Sequence, residues 1–533
     1  MESADQLPTL KENLPKAGGQ QRFPGMFLLA AVFVIAVCGL MYELIAAALS
    51  TYLLGSSVTH FSLVIGVFLT AMGVGSYLTR YFQRDLAELF IGIQIGIGLS
   101  GGISAAVLLF SFAVLESYLP ILFLVLGVTG VLVGMEIPLL IRILKSQSAL
   151  RITVSNVLTL DYIGALVASC LFPLLFVPYV GLLRTSYLFG LLNVAVALVG
   201  LRVMRHMIRK RKPLVWSALG CALLLTGGLF SANRFTSLTE SLLYRDEIIL
   251  VRQTPYQRLV VTRWRNDTRL FIDGHLQFSS VDEHRYHETL VHPAAAACPG
   301  ARRALILGGG DGMAARELLK YPSIERIDLV DLDEEMIRLF RDHPFLASLC
   351  ENALSDSRLH LHVNDAGKFL EQTTDMWDLV YIDLPDPHTF SLSRLYTTSF
   401  YRLLSRRLNW HGIVVTQATS PFYASKAFWC IVETWRQTPV GPEEQGRFHV
   451  YPYHAYVPSF GDWGFVMASF RELQPTQLKL ASGVPLRFIT QDVLPTLFVF
   501  PFDSMLNSEV KPNRLDDQVL PRYYRDGWRR YGP

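Results

Sequence analysis

The hydrophobic rhythm of the chain changes once, after Ala232. Ahead of that point a polar tail over residues 1–25 gives way to apolar runs near 26–47, 60–79, 89–113, 119–143, 155–180, 183–204 and 214–232. A helix of about 20 such residues crosses the hydrocarbon core of a bilayer, so the pattern predicts a membrane domain of about seven helices over 26–232. The first run is a full span behind a polar tail and lacks the form of a cleavable leader, so the first helix is expected to remain as an anchor. Beyond Ala232 a polar, partly amphipathic linker leads from Asn233 to about Arg252. Leu259 to Thr262 and Leu270 to Asp273 then alternate as half-buried strands do, and with the linker they form a region over 233–303. From Ala304 to about Gln417 short apolar strands alternate with helical stretches, the signature of a doubly wound parallel sheet within 304–533. No internal repeat of solenoid length interrupts this plan.

Composition sharpens the division. With 51% hydrophobic residues over 533 positions the chain is too apolar for a single soluble domain. Its net charge is only +3, and no Lys/Arg run is interleaved with aromatics, so nucleic acid is not an expected partner. Cys38, Cys170 and Cys221 fall in the apolar runs, while Cys298, Cys350 and Cys430 are scattered beyond them. Without metal-ligand spacing they indicate neither a zinc site nor a disulfide framework, and no metal is expected. Arg80 and Arg84, then Arg142, Lys145 and Arg151, then the cations from Arg202 to Lys212 follow the second, fourth and sixth runs. The positive-inside rule thus puts the N-terminus in the cytoplasm and, after seven spans, the C-terminal half outside. Should that half act on a metabolite made in the cytoplasm, the other face is expected, and a miscount of the shortest run, Leu214 to Ala232, would reverse the assignment. The expected location is the cell membrane, multi-pass, with the face of the C-terminal half left open.

Three acids interrupt the apolar runs. Glu43 is well inside its run, whereas Glu136 and Asp161 fall near the ends of theirs. An unpaired carboxylate is costly in hydrocarbon, so each marks either a cation or proton site or an interfacial residue bonded to a helix end. Glu43 is expected to meet a polar partner from another span.

The densest chemistry lies where the first strand of the parallel sheet meets its helix. Ala304 to Leu307 is followed by Gly308, Gly309, Gly310, Asp311 and Gly312. Glycines let the backbone approach a nucleoside, and a helix N-terminus favours an anion, but a carboxylate at Asp311 suits a ligand with positive charge, such as a sulfonium with an ammonium tail. The second strand, Arg326 to Leu332, carries Asp331, placed to accept from both ribose hydroxyls, while Asp333 points away or caps the helix that begins at Glu334. The third, Leu359 to Val363, leads to Asp365, a candidate acceptor for an adenine amino group. The fourth, Asp378 to Ile382, leads to Asp383 and Asp386. Ligands bind at the carboxyl ends of such strands, and this many acids there require a cation to offset them or protonation of some.

Together with Tyr256-Gln257, Asp273-Gly274-His275-Leu276-Gln277 and Asp282-Glu283-His284-Arg285-Tyr286-His287-Glu288, these motifs resemble the spermidine synthases, or polyamine aminopropyltransferases, over roughly Val251 to Phe470. The whole chain looks like the membrane-bound long form of that family. The resemblance implies a multi-pass α-helical membrane domain followed by an α/β Rossmann-like domain of methyltransferase type, with a small N-terminal β subdomain. It implies transfer of a 3-aminopropyl group from decarboxylated S-adenosylmethionine, a co-substrate, to putrescine or a related polyamine, with no further cofactor. By resemblance Gln257, Asp331, Asp365 and Ala366 hold the nucleoside, His287 and Asp311 contact the aminopropyl or polyamine chain, Asp383 accepts the proton, and Asp386 binds the polyamine. Tyr456 falls near a tyrosine that orients the diamine, and Gln417 lines the same pocket. The chain departs from the soluble members after Pro387, where His388 to Tyr396 replaces a Gly-Pro-Ala-like gate, which leaves amine specificity open; Arg394 there shortens the pocket, pairs with an acid or is a surface loop residue. Two other readings stand beside this one: an S-adenosylmethionine-dependent amine N-methyltransferase of the same fold, and a polyamine transporter or sensor. A lipid bilayer is an expected partner, and homo-oligomerisation is left open.

Overall fold

The computed structural model describes residues 19–54, 57–115, 118–144, 150–243, 246–441, 446–505 and 509–531. Most of the tail expected over 1–25 lies outside the described residues, as do Lys145 and the side chain of Arg151. The chain divides into two compact units, Met1–Leu243 and Tyr244–Pro533.

The first unit is helical: α1 (Gly19–Leu54), α2 (Ser57–Leu78), α3 (Leu86–Val114), α4 (Leu119–Leu144), α5 (Leu150–Leu171), α6 (Leu182–Val203) and α7 (Arg211–Leu243). All seven contain a segment long and apolar enough to cross a membrane. Small residues let these helices touch backbone to backbone, as bundles without a hydrophobic drive between helices require. A Cβ on Gly75 of α2 would fall 2.0 Å from the Val131 carbonyl oxygen, and one on Gly134 of α4 2.0 Å from that of Met72. Arg142 donates to the Thr79 carbonyl at 2.8 Å, a cation at the end of α2 where orphan carbonyls gather. Two expectations change. The polar stretch after Ala232 is no loop, because α7 continues through it to Leu243; it contains neither Gly nor Pro to stop a helix. Glu43, expected to meet a polar partner from another span, is buried but makes no hydrogen bond among the described residues, whereas Glu136, also buried, accepts from Gln94 Nε2.

The second unit opens with an antiparallel meander, β1 (Glu247–Gln253), β2 (Arg258–Trp264), β3 (Asp267–Ile272) and β4 (His275–Ser279). Asp273 and Gly274 join the last two with φ of 50° and 83°, the positive values a two-residue hairpin turn demands. There follow α8 (Glu283–Ala297), β5 (Arg303–Gly308), α9 (Met313–Leu319), β6 (Arg326–Asp331), α10 (Glu334–Asp342), α11 (Pro344–Leu349), β7 (Leu359–Val363), α12 (Ala366–Gln372) and β8 (Trp377–Asp383). Then come α13 (Phe390–Ser393), α14 (Thr398–Ser405), β9 (Leu408–Gln417), α15 (Ser425–Gln437), a short β10 (Pro439–Val440) and β11 (Gly446–Arg447) hairpin, β12 (His449–Val457), β13 (Gly461–Ser469) and α16 (Leu520–Trp528).

The main sheet has the order β12-β13-β9-β8-β5-β6-β7. Strands β9, β8, β5, β6 and β7 run parallel, and β13 and β12 add an antiparallel edge. Strand β5 carries no polar side chain from Ala304 onward, because both its faces are covered there. Ala304 and Ile306 point into a core shared with α8, α9 and α10, and Leu305 and Leu307 into one shared with α12, α14 and α15. Each such Leu or Ile stabilises the fold by about 1.5–3 kcal/mol on burial. The chain winds from β5 to β6 and β7 on one side, then returns to β8 on the other, so the crevice of the fold opens between β5 and β8. There the last residues of the two strands, Gly308 and Asp383, stand in register.

Candidate active site

A cavity of about 830 Å³ opens at these strand ends and is walled by the meander, α8 and α16 as well as the sheet. This falls within the range that small-ligand sites occupy. Gln257, His287, Asp311, Asp331, Asp365, Ala366, Asp383, Asp386 and Gln417, all expected from the sequence, line it.

At the nucleoside end the acids are held by backbone donors. Asp331 accepts from the Gly310 amide at 3.0 Å and the Asp333 amide at 2.9 Å. Burial raises its carboxyl to about 6 despite those bonds. A Cβ on Gly310 would lie 2.6 Å from Asp331 Oδ2, so only glycine leaves room there. Asp333 caps α10 by accepting from the Glu335 amide at 3.2 Å, and it also takes bonds from Thr254 Oγ1 and Gln257 Nε2, each at 2.8 Å. Gln257 thus reaches the cavity with its amide NH2 fixed by Asp333. Asp365 caps α12 through the Lys368 amide at 3.1 Å and is ion-paired to Arg394. Burial pulls its carboxyl up, but the Arg394 bond and the backbone donors hold it below the usual range. Arg394 therefore pairs with an acid and lines the cavity while remaining an exposed residue, its side chain 44% accessible.

At the junction of β5 and β8, Asp383 Oδ1 accepts from the Tyr286 hydroxyl at 2.7 Å. Burial and the Asp311 carboxylate raise Asp383 to about 6, against the charge of His287 and the Tyr286 bond. Asp311, also raised by burial, accepts from the Met313 amide at 3.0 Å at the start of α9. The cation beside them comes from α8. His287 Nδ1 donates to Glu283, whose carboxylate is gripped by both terminal nitrogens of Arg316 at 3.0 and 2.9 Å. Burial opposes a charge on His287, yet the Glu283 bond and the surrounding carboxylates lift it to about 9. In Glu283 burial is overcome by His287 and Arg316, which bring its carboxyl down to about 2. Both devices anticipated for the acid cluster are present, a buried imidazolium and carboxyls that hold protons near pH 6.

Asp386 occupies the far end. Gln417 Nε2 donates to it at 3.3 Å and Thr419 Oγ1 at 3.4 Å, and the Tyr524 hydroxyl of α16 bonds to it as well. Burial nonetheless raises it to about 6. Thr419 sits at φ 58°, a conformation costly for a β-branched residue, held by its amide bond to Gln417 Oε1 at 3.0 Å. Tyr286, Phe460, Trp463, Tyr524 and Trp528 add aromatic rings to the lining, and the buried indole N–H groups of Trp463 and Trp528 have no partner among the described residues. The rings of His275 and His388, 4.7 Å apart and tilted by 39°, also line the cavity, and burial and the neighbouring imidazole keep His388 neutral, down to about 4.

One expected residue stands elsewhere. Tyr456 is 60% exposed and is not a lining residue. Residues Ala455 and Val457 on either side of it are buried, so strand alternation turns Tyr456 outward. Its place beside the acids is taken by Tyr286 and Tyr524. Tyr286 stands in the Asp282-to-Glu288 motif beside the more conspicuous His287, and Tyr524 carries no local signal at all.

The Spermine/spermidine synthase domain description matches residues 283–479. A polyamine aminopropyltransferase of Leptospira interrogans is 46% identical over 505 residues, which are 94% of this chain and 99% of that relative. The chain belongs to the polyamine aminopropyltransferase family. Polyamine aminopropyltransferase 2 of Ralstonia nicotianae is 47% identical over 516 residues, 94% of this chain and 98% of its own. The aminopropyltransferase of Mycobacterium tuberculosis is 38% identical over 520 residues, 94% and 96% of the two chains. Among solved structures, spermidine synthase from Thermotoga maritima aligns with a TM-score of 0.42 at 22% identity, covering 48% of this chain and 85% of that one. A spermidine synthase bound to the transition state analogue AdoDATO aligns with a TM-score of 0.43. Aminopropyl transfer thus replaces the amine methyltransferase reading, and the aminopropyltransferase relatives span both units of this chain, helices included.

Proposed function

We propose that this aminopropyltransferase moves the 3-aminopropyl group of decarboxylated S-adenosylmethionine to putrescine, giving spermidine and 5'-methylthioadenosine. The observation that supports it best is Asp383, a buried carboxyl with a value near 6, bonded to Tyr286 and facing the glycine turn that carries Asp311. Putrescine arrives as an ammonium. Asp383 accepts one proton from it, freeing a nitrogen lone pair that forms a bond to the propyl carbon attached to the sulfonium. The carbon–sulfur bond breaks with its electrons going to sulfur, which becomes the neutral thioether of methylthioadenosine. The proton on Asp383 leaves to solvent.

Each neighbour has a part in this reading. Asp311 pairs with the donor's ammonium tail and disfavours the extra carboxylate of intact S-adenosylmethionine. Asp331 takes the ribose hydroxyls, and Asp365 with Ala366 borders the adenine. Asp386, with Gln417 and Tyr524, receives the distal ammonium of the diamine, whose methylenes lie along the aromatic lining. His287 keeps the acids from all having to be neutralised by substrate. Proximity in a largely enclosed cavity supplies much of the remaining rate. The seven apolar helices serve in this proposal to hold the enzyme in the cell membrane.

The test is Asp383→Asn in the full chain. Spermidine formation should fall by about 100-fold or more, the usual contribution of a positioned base, with methylthioadenosine still bound. Near-normal turnover would remove Asp383 from the mechanism. Mass analysis of products from putrescine and other amines checks the acceptor separately.

A further inference from the structure

The N-terminal unit contains a polar cluster that aminopropyl transfer does not use. Glu136 of α4 is 1% exposed and accepts from Gln94 of α3. Among the described residues no Lys, Arg or His pairs with it. The Gln94 amide spends its NH2 on that bond, and its carbonyl oxygen is buried with no partner among the described residues. Asn193 of α6, also 1% exposed, repeats the arrangement: Nδ2 donates to the Tyr42 hydroxyl of α1 at 2.8 Å, and Oδ1 is buried without a partner.

These groups share one place in the bundle. Gln94, Gly98 and Gly101 follow one another on a face of α3. A Cβ on Gly98 would stand 3.5 Å from that of Asn193, and one on Gly101 would stand 2.6 Å from the Tyr42 ring. Glu136 is in electrostatic reach of the Tyr42 hydroxyl and of the Asp161 carboxyl on α5. Four helices therefore bring a carboxylate, two unpartnered amide oxygens and a phenol oxygen together, with a second carboxylate nearby and no positive charge. Two orphan acceptors beside a buried carboxylate are unfavourable unless something donates to them or carries positive charge.

We infer that this cluster is an intrabundle binding site for a dehydrated monovalent cation, either an alkali ion or a primary ammonium group. An all-oxygen set suits both. One close carboxylate balances one charge, whereas divalent ions are held by more carboxylates or retain waters.

The full-length protein in detergent, at constant ionic strength in N-methylglucamine, tests this by thermal unfolding against added sodium, potassium or methylammonium. At least one of them should stabilise it saturably, and which one identifies the source of the charge. Glu136→Gln should raise the half-saturating concentration by about tenfold or more, as loss of a charge-assisted contact does, without changing the rate of aminopropyl transfer. Asn193→Ala provides the same readout with the carboxylate intact and should shift it in the same direction. No stabilisation by any of the three, stabilisation that follows pH alone, or full stabilisation retained in the variants would overturn the site.

Discussion

At the scale of single residues the catalytic unit is a problem in proton placement. Asp383, Asp386 and Asp331 all titrate near 6 and His287 near 9. A base must be deprotonated to act, so kcat/KM should fall as pH drops through about 6, and more steeply than for one ionisation because three carboxyls gain protons together. On the alkaline side activity should fall through about 9 as His287 loses its charge. Glu283 supplies the hydrogen bond and charge that raise His287, so Glu283→Gln should move that limb to lower pH; a limb that stays at 9 belongs to another group. Asp311→Asn should weaken decarboxylated S-adenosylmethionine more than methylthioadenosine, which has no amine, and calorimetry showing equal losses would leave Asp311 only a turn residue. The linkage sign for stability follows from the same shifts. The contribution of His287, raised from its ordinary value, is complete below about 6.5 and lost as pH rises through 9. That of Glu283, held near 2, is complete above about 4.5 and lost as pH falls through 2. The acids were legible in the sequence because strand ends and a glycine turn announce them. Tyr286, Thr419 and Tyr524 were not, since their roles come from contacts with Asp383 and Asp386 that no local pattern encodes.

Among elements, the glycine turn between β5 and α9 does the most with the fewest atoms. Gly310→Ala would drive a methyl into the Asp331 carboxylate, displacing an acceptor that β6 otherwise holds ready. Donor affinity should fall by at least about tenfold, the cost of one charge-assisted hydrogen bond, and unchanged affinity would show that Asp331 does not hold the nucleoside. Tyr524→Phe tests α16 in a similar way. Asp386 loses a donor, and KM for the amine should rise more than kcat falls, whereas an equal effect on both points to chemistry instead of acceptor binding. The parallel strands could be read from four short apolar runs because burial on both faces leaves no polar alternation. Two features could not. Helix α7 runs past the expected boundary since polarity alone does not end a helix without a breaker, and Tyr456 faces outward because one step along a strand reverses a side chain.

For the whole molecule, the division of labour suggested by composition reappears as two separately packed units. The residues proposed for catalysis and the cores of the second unit all lie within Tyr244–Pro533. Expressed alone, residues 244–533 should make spermidine at a rate close to that of the full chain; an inactive but folded unit, judged by circular dichroism, would give the helices a part in catalysis. The sequence could not say where Glu136 lies in the bundle, because its depth follows from how α3, α4 and α6 pack and not from its position in the run. Another consequence follows from the order of the cavity's walls along the chain. A ribosome that has just delivered β9 has already produced the glycine turn and every acid that lines the pocket, from Asp273 to Asp386. The aromatic wall of α16 emerges only after all other lining residues. Until α16 is made, the acids of the cavity are already present in the chain while the wall that carries Tyr524 and Trp528 is still missing.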